Sequence, residues 1–281
     1  MRFGVEHTAE AVKFYKSKGA IAINDLISKE ELVDLREAYD TLVLQKIIPA
    51  YSEHLLVRND IIYDHPIFEQ FMRHPIIVNL ARSIMGPNIE LQHSKIINKF
   101  GPDTGNLKWH QDFQFFPHTN YNLHAFAIHL DDEDETSGPL IVIPGSNLWG
   151  EKSHEIDGEF FYGCTENIDY GKHEQVLLTG KAGMITVHHC LTFHCSKPKT
   201  NDRSRRILYF QYRASDAIQL AGAIWKCTGE NITSDGASKV ARFPNGDTIA
   251  IRGSGRLFDI FGKLRSDGIS SEFSIEVEKS K

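Results

Sequence analysis

The stretch Lys108-Trp109-His110-Gln111-Asp112-Phe113 places a histidine and an aspartate two residues apart in an apolar, aromatic setting. If this stretch is a β-strand, alternation puts the side chains of His110 and Asp112 on the same face. An imidazole and a carboxylate on one face supply two of the three ligands of a 2-His-1-carboxylate site, which holds Fe(II) and leaves positions open for O2 and a co-substrate. The pair alone is a weak signal, because the chain has 14 histidines and 37 acidic residues.

A second group of histidines lies in residues 183–196, where an apolar run contains His188, His189 and His194. The run predicts strands over 183–188 and 190–195, so that His194 closes a strand. His194 comes 82 positions after Asp112. That separation suits a jelly roll, in which neighbouring strands can be remote in sequence, and His194 is therefore the candidate third ligand.

An arginine opens the next predicted strand, 205–213. A guanidinium pairs bidentately with a carboxylate and stays charged at any relevant pH, so Arg205 could bind a dicarboxylate held at the metal. Arg203 and Arg206 are alternatives. Arg206 points to the other face if the strand is regular, which favours Arg205.

The composition is that of an ordinary globular protein: of 281 residues, 41% are apolar and 24% are charged. The net charge of −6 argues against nucleic-acid binding, which needs a basic face. No apolar run reaches the ~18 residues of a membrane span, and the first residues lack the apolar core of a signal peptide. We therefore expect a cytoplasmic protein that binds neither nucleic acid nor membrane, with its four cysteines as free thiols.

Helical periodicity dominates the first 88 residues, and short strands with turn signals follow. The predicted helices are 8–18, about 28–44, 66–73 and 75–85, with one short strand at 20–23. The later predicted strands are 89–99, 108–115, 123–130, 140–143, 175–178, 183–188, 190–195 and 205–213. This order indicates a β-rich α+β fold, a jelly roll or barrel whose N-terminal helices buttress one sheet.

We expect one domain over residues 1–281, because no internal repeat or low-complexity linker divides the chain. Its parts are a helical segment 1–88, a jelly-roll core of about 89–215 and a C-terminal extension 216–281. A segment without clear periodicity, 145–174, is a candidate lid or binding loop. In the extension, 242–247 is typical of a turn between strands.

Together these motifs resemble the phytanoyl-CoA dioxygenase family of Fe(II)- and 2-oxoglutarate-dependent oxygenases, whose fold is a double-stranded β-helix. The resemblance runs from about Gly19 to Tyr212. It rests on the motifs His110-x-Asp112, Gly138-Pro139-Leu140-x-Val142-x-Pro144-Gly145-Ser146, His194-x-Ser196 and Arg205. In the family pattern a serine follows the distal histidine by two residues and an arginine follows it by eleven, and Ser196 and Arg205 match both positions. The family usually has glycine where this chain has Cys195.

The resemblance implies the cofactor and the residues that bind it. By this likeness His110, Asp112 and His194 bind Fe(II), Arg205 and Ser196 hold the distal carboxylate of 2-oxoglutarate, and O2 is the oxidant. Lys95 would line the co-substrate or substrate pocket. Residues 113–122, which follow the metal motif, should form one pocket wall, and a similar run occurs in bacterial members of the family that oxidise small phosphorus compounds.

Other polar residues have simpler explanations. Histidines on apolar strands are usually hydrogen-bonded structural residues, which is the expectation for His124, His129, His188 and His189. His189 should face away from the ligands. The acidic run 131–135 is most simply a solvated loop.

The expected activity is hydroxylation of an unactivated C–H bond in a small molecule, with release of succinate and CO2. Desaturation, ring formation or oxidation of a small phosphonate on the same fold are alternatives. A halogenase is disfavoured because Asp112 fills the position that a small residue would leave for halide. A jelly-roll binding protein with a structural metal is the non-catalytic alternative, and a closed site with four protein ligands would favour it.

Overall fold

The computed structural model describes residues 1–157 and 159–220. Its helices are α1 (Thr8–Lys18), α2 (Lys29–Leu44), α3 (Pro66–Met72) and α4 (Pro75–Met85). The strands are β1 (Arg2–Phe3), β2 (Ala20–Ile23), β3 (Ala50–Ser52), β4 (Leu55–Asn59), β5 (Ile89–Lys99), β6 (Leu107–His110), β7 (Leu123–His129), β8 (Leu140–Val142), β9 (Glu155–Ile156), β10 (Glu159–Phe160), β11 (Val176–Leu178), β12 (Ile185–His189), β13 (His194–Ser196) and β14 (Arg205–Ala214). All four predicted helices are confirmed.

Capping interactions define the ends of helices α1 and α2. Before α2, the Ser28 hydroxyl accepts a hydrogen bond from the Glu31 amide at 3.2 Å, and the Glu31 carboxylate accepts one from the Ser28 amide at 2.8 Å. This reciprocal pair is the capping box that the sequence predicts. Helix α1 ends at Gly19, whose φ of +71° is a left-handed conformation that glycine adopts without steric cost.

Two sheets form the β-rich body of the protein. The large sheet has eight strands in the order β1-β2-β12-β7-β14-β5-β4-β3, and the small sheet has four in the order β11-β8-β13-β6. Contacts between them include Ala20 of the large sheet, which packs with Leu140 and Val142 of the small one. This arrangement agrees with the predicted jelly roll buttressed by helices.

The two faces of the large sheet differ in chemistry. Alternate residues such as Phe126, Leu208 and Phe210 are fully buried in one apolar cluster with the four helices. The other face looks toward the small sheet and bears polar residues, among them His188 of β12 and Gln211 of β14, both almost completely buried. Buried polar side chains on an inner face indicate a site between the sheets.

The predicted strands 108–115 and 190–195 are wrong in their extent. Strand β6 stops at His110, and Asp112–Gln114 form a short 3-10 turn closed by a hydrogen bond from the Phe115 amide to the Asp112 carbonyl at 3.0 Å. A turn also precedes β13, closed by the Thr192 amide on the His189 carbonyl at 2.8 Å. His194 therefore opens a strand instead of closing one.

The helical segment 1–88 also contributes strands that its pattern did not predict. Strands β1, β3 and β4 all join the large sheet. Residues 221–281, which hold Cys227 and the predicted turn at 242–247, lie outside the described residues. Within the described ranges, none of the helices has the length and apolarity needed to span a membrane.

Ser28→Ala should lower the free energy of unfolding by about 1 kcal/mol, because it removes the N-cap hydrogen bond of α2. Urea unfolding followed by circular dichroism measures the change. Ser83→Ala is the matched control, since Ser83 lies on the exposed side of α4 and bonds the Asn79 carbonyl. Its effect should stay within about 0.5 kcal/mol. Equal losses in both variants would contradict the assigned cap.

Candidate metal centre

Three candidate ligands converge between the sheets, as the sequence predicts. His110 and His194 lie directly opposite each other on antiparallel strands β6 and β13, and Asp112 begins the turn after β6. The Asp112 Oδ1 atom is 3.7 Å from His110 Nε2 and 3.5 Å from His194 Nε2. One ligand atom from each residue lies within 4.8 Å of the others. Two imidazoles and a carboxylate at this spacing fit a divalent transition metal such as Fe(II).

Backbone carbonyls set the tautomer of both histidines. His110 Nδ1 donates to the Lys108 carbonyl at 2.8 Å, and His194 Nδ1 donates to the Thr192 carbonyl at 2.9 Å. Each bond leaves the lone pair of Nε2 free to face the metal position. Burial, with His194 nearby, also brings the pKa of His110 well below its usual value, so this imidazole is neutral as a ligand must be.

His188 fixes the carboxylate. Its Nε2 donates to Asp112 Oδ2 at 3.1 Å, which leaves Oδ1 directed at the other two ligands. Burial acts to raise the pKa of Asp112, but His194 and His188 outweigh it and hold the pKa well below the usual range. His188 was expected to be a structural histidine, and its partner is the candidate ligand itself. His189 lies on the other face, with its ring against His124 at 5.1 Å, as predicted.

Gln111, between the candidate ligands His110 and Asp112, binds the long segment 145–174 through hydrogen bonds. Gln111 is completely buried, and its side-chain amide donates to the carbonyls of Gly150 and Leu191, both at 2.9 Å. Its oxygen accepts from the Lys152 amide at 2.8 Å. Farther along the same segment, Tyr170 stacks on Trp109 with ring centroids 5.0 Å apart. The segment is thus attached to the strand that carries His110.

The predicted pocket wall in residues 113–122 is partly aromatic. The Phe115 ring lies 5.5 Å from the His110 ring, and the Phe116 ring lies 4.8 Å from that of His93 on β5. Phe113 instead packs on Tyr121, with ring centroids 4.9 Å apart. Phe115 therefore contacts a candidate ligand, and Phe116 lies against the neighbouring His93.

Arg205 is buried at the start of β14, and it already has a partner. Its Nε donates to Glu133 Oε1 at 2.5 Å, and the other carboxylate oxygen of Glu133 lies 2.6 Å from His129 Nδ1. Burial acts to raise the pKa of Glu133, but Arg205 and His129 outweigh it, so the pKa lies below its usual value. The expectation of a solvated loop at 131–135 is wrong for Glu133, which is 4% exposed. The run has five consecutive acidic residues, and nothing in the sequence shows that Glu133 is the buried one.

Ser196 lies beside a second buried cation that sequence reasoning missed. Its hydroxyl donates to the Gly105 carbonyl at 3.0 Å and accepts from Lys99 Nζ at 3.1 Å. Burial, reinforced by Arg205, lowers the pKa of Lys99 to about 7, while Glu133 acts in the opposite direction. Lys99 follows Lys95 by four residues on β5, so strand alternation places both side chains on one face. This spacing is the signal that could have identified Lys99.

Lys95 and Arg206 are the other two candidate residues on these strands. Lys95 pairs across the strands with Tyr209, four residues beyond Arg205 on β14, and its Nζ is 5.1 Å from the centroid of the Tyr209 ring. Arg206 lies on the opposite face of β14 and pairs with Asp131 at 2.7 Å, which agrees with the preference for Arg205.

Three candidate ligands on a double-stranded β-helix, with a buried arginine on another strand, are typical of non-haem iron oxygenases that use 2-oxoglutarate. Within that class the chain belongs to the phytanoyl-CoA dioxygenase family, whose family model matches residues 15–207. The resemblance seen in the sequence is thus confirmed. The protein is an oxidoreductase that uses Fe(II), 2-oxoglutarate and O2.

Comparisons with individual proteins agree. The chain is 32% identical to a probable alpha-ketoglutarate-dependent hypophosphite dioxygenase of Stutzerimonas stutzeri, over 76% of this chain and 81% of that protein. It is 24% identical to an ectoine dioxygenase of Bordetella bronchiseptica, over 76% and 78%. The solved structure of the epimerase SnoN in complex with Fe3+, alpha ketoglutarate and nogalamycin RO has the same fold, with a TM-score of 0.70 at 17% identity over 92% of this chain and 98% of that one.

Glu133→Gln should lower the free energy of unfolding by about 3–5 kcal/mol, because it leaves the buried guanidinium of Arg205 without its counter-charge. Urea unfolding at pH 7 measures this. Glu135→Gln makes the same chemical change two residues away on the exposed surface and should cost less than about 0.5 kcal/mol.

The same pair of variants tests the pH dependence. Since folding depresses the pKa of Glu133, its stabilisation is complete above the unfolded pKa of about 4.3 and is lost as pH falls through the lower folded-state value. Wild type and Glu135→Gln should therefore lose stability more steeply below about pH 4 than Glu133→Gln does. Parallel curves for all three proteins would argue against this ion pair.

Proposed function

We propose that the protein is a hydroxylase, which couples the conversion of 2-oxoglutarate and O2 into succinate and CO2 to the insertion of one oxygen atom into a C–H bond of a small molecule. One observation carries the proposal. Two histidines and the Asp112 carboxylate converge as candidate ligands, and a buried cation, Arg205, lies at a separate place. The separation of the two groups suits a metal ion with open coordination positions and a co-substrate whose far carboxylate binds Arg205.

His110, Asp112 and His194 would hold the iron. When bound, the iron supplies the activation of O2 and the cleavage of the substrate bond. The protein's own contribution is to present two imidazoles, each with Nε2 toward the metal position, and one ionised carboxylate in a fixed orientation. The carbonyls of Lys108 and Thr192 orient the imidazoles.

Arg205, Ser196 and Lys99 would bind the far carboxylate of 2-oxoglutarate. A guanidinium has five N–H donors; Glu133 takes the one on Nε, and Tyr209 also hydrogen-bonds the Arg205 side chain, so the donors for a co-substrate are on the Nη atoms. Arg205 and Glu133 together carry no net charge. Lys99 is thus the cation that balances the incoming carboxylate, and the Ser196 hydroxyl beside it would donate to that carboxylate once it turns away from the Gly105 carbonyl.

Aromatic side chains would shield the reacting centre from water. Phe115 contacts the His110 ring on one side and the Phe160 ring, at 5.0 Å, on the other. Phe160 belongs to the hairpin β9–β10 of the segment 145–174. Exclusion of water strengthens electrostatic interactions inside the site and limits side reactions.

Oxidation of a P–H bond is the second candidate reaction. The similarity to the hypophosphite dioxygenase, which extends over 81% of that protein, favours it. Hypophosphite, 2-oxoglutarate and O2 would give phosphite, succinate, CO2 and one proton. The same residues would take the same roles, because only the bond that receives oxygen differs.

A non-catalytic metal-binding protein would need a closed set of ligands. Among the described residues the metal-binding group has three members, and the neighbouring His188 is engaged with Asp112. Arg205 and Lys99 would also have no role in a structural metal site. These features support the enzyme over the binding protein.

Arg205→Ala should raise the 2-oxoglutarate concentration needed for half-maximal succinate formation by roughly 30- to several-thousand-fold, since a buried charge-assisted pair is lost. Succinate release with Fe(II) and ascorbate measures it. Arg205→Lys should recover part of the loss and also keeps a charge beside Glu133, so the fold survives. Arg206→Ala removes a guanidinium from the opposite face and should leave the requirement unchanged. An Arg205→Lys protein with wild-type dependence on 2-oxoglutarate would rule out this role.

The requirement for 2-oxoglutarate should rise with pH. Because the pKa of Lys99 is lowered to about 7, the ammonium loses its proton above that pH and no longer balances the co-substrate carboxylate. Half-saturating 2-oxoglutarate, measured from pH 6 to 9, should increase above about pH 7 in the wild type. Lys99→Met should show a high and nearly pH-independent value. A pH profile that Lys99→Met leaves unchanged would remove Lys99 from the site.

A further inference from the structure

A second set of nitrogen donors lies farther along the inner face of the large sheet, beginning beside Tyr209, which hydrogen-bonds the Arg205 side chain. Gln211 of β14 is directly opposite His93 of β5, and the next pair along the same two strands is Tyr209 and Lys95. Alternation puts all four side chains on one face. Gln211 is six residues beyond Arg205, or about 20 Å along the strand. That distance exceeds the length of a 2-oxoglutarate molecule already anchored at Arg205.

Two of these side chains each have a buried nitrogen without a hydrogen-bond partner among the described residues. Gln211 is 3% exposed, and its Nε2 has no partner among the described residues. His93 is 8% exposed, and its Nδ1 is also unpartnered within the described ranges. An unsatisfied buried polar group costs free energy, and native structures rarely leave two together unless a ligand or water completes them.

Lys95 adds a positive charge to this pair. Its ammonium lies over the Tyr209 ring at 5.1 Å, and the described residues place no carboxylate within 4.0 Å of it. The neighbouring carboxylate that it senses electrostatically is Asp112, which is engaged with His188. Burial lowers the pKa of Lys95, which is the mark of a cation that lacks a close counter-ion.

The strand register places these donors next to the candidate metal centre. Gln211 pairs with Ala125 of β7, and Ala125 pairs with His188 of β12, the residue that holds Asp112. Neighbouring strands are about 4.8 Å apart, so Gln211 and His188 are about 10 Å apart across the sheet. The residue between them is an alanine, and Ala127 occupies the equivalent place beside Tyr209. Small side chains leave space over the sheet between the donors and the metal position.

We infer that Lys95, His93 and Gln211 bind the anionic group of a small oxyanion substrate and hold its reacting bond beside the metal. This inference rests on the proposed function, and it gives Lys95 to the substrate instead of to 2-oxoglutarate. An ammonium, an amide N–H2 and an imidazole N–H together offer donors from three directions, which suits a tetrahedral group such as hypophosphite or a phosphonate. The Phe116 ring packs against His93 and forms one side of this position.

The test measures anion binding directly. The full-length protein, loaded anaerobically with Fe(II) and 2-oxoglutarate, is titrated with hypophosphite, and the broadening of the 31P resonance by the paramagnetic iron reports binding close to the metal. Parallel titrations with methylphosphonate and propionate, followed by 31P and 1H resonances, separate tetrahedral from planar oxyanions. We expect saturable broadening of hypophosphite or methylphosphonate.

Lys95→Met removes the charge and keeps the length of the side chain, so it should weaken anion binding by about 10- to 100-fold. Lys13→Met makes the same change on the exposed side of α1 and should have no effect. Gln211→Leu should weaken binding without altering any charge. Urea unfolding checks that each variant is folded. In all of them the half-saturating concentration of 2-oxoglutarate should stay at its wild-type value.

The outcomes separate this inference from the proposed function. If the wild type releases succinate from 2-oxoglutarate but broadens none of the three probes, the anion site is refuted while the oxygenase activity stands. A Lys95→Met protein that binds hypophosphite normally, or that needs more 2-oxoglutarate, also refutes it. If hypophosphite and methylphosphonate bind in a Lys95-dependent manner and neither is oxidised, the anion site stands and the P–H reaction falls.

Discussion

The carboxylate of Asp112 links the two sheets. Its Oδ1 faces the imidazoles of His110 and His194 on the small sheet, and its Oδ2 accepts a hydrogen bond from His188 on the large sheet. A carboxylate withdrawn from water is costly unless hydrogen bonds and opposite charge compensate it, so Asp112 depends on groups from both sheets. The helices act on the opposite face of the large sheet, where Phe126 and Leu208 anchor it in the apolar core.

A second electrostatic balance operates at the other end of the inner face. Arg205 and Glu133 form a neutral buried pair, and Lys99 adds a charge that burial makes easy to lose. An isolated excess of cations would be expensive there, whereas one neutral pair plus one titratable lysine is tolerated. A carboxylate of 2-oxoglutarate bound there, as we propose, would meet a small positive net charge.

The sequence alone was sufficient for the fold class and for the candidate ligands. The spacing of the site motifs was recognisable as that of a known family; these motifs are His110-x-Asp112, His194-x-Ser196 and Arg205. Contacts between residues distant in sequence could not be predicted in this way. Glu133 is one acid among five in its loop, and only the return of β14 beside it distinguishes it from its neighbours. The ends of the strands at His110 and before His194 depend on hydrogen bonds such as that from the Phe113 amide to the Cys190 carbonyl, which no periodicity encodes.

We propose that His110, Asp112 and His194 hold an iron that 2-oxoglutarate can chelate. The visible charge-transfer band that forms when Fe(II) and 2-oxoglutarate are added anaerobically reports this complex directly. We expect a band that saturates at one iron per chain in the wild type, persists in His189→Asn and is lost in His194→Ala. A band that survives in His194→Ala and disappears in His189→Asn would contradict it, as would a wild-type protein that forms no band.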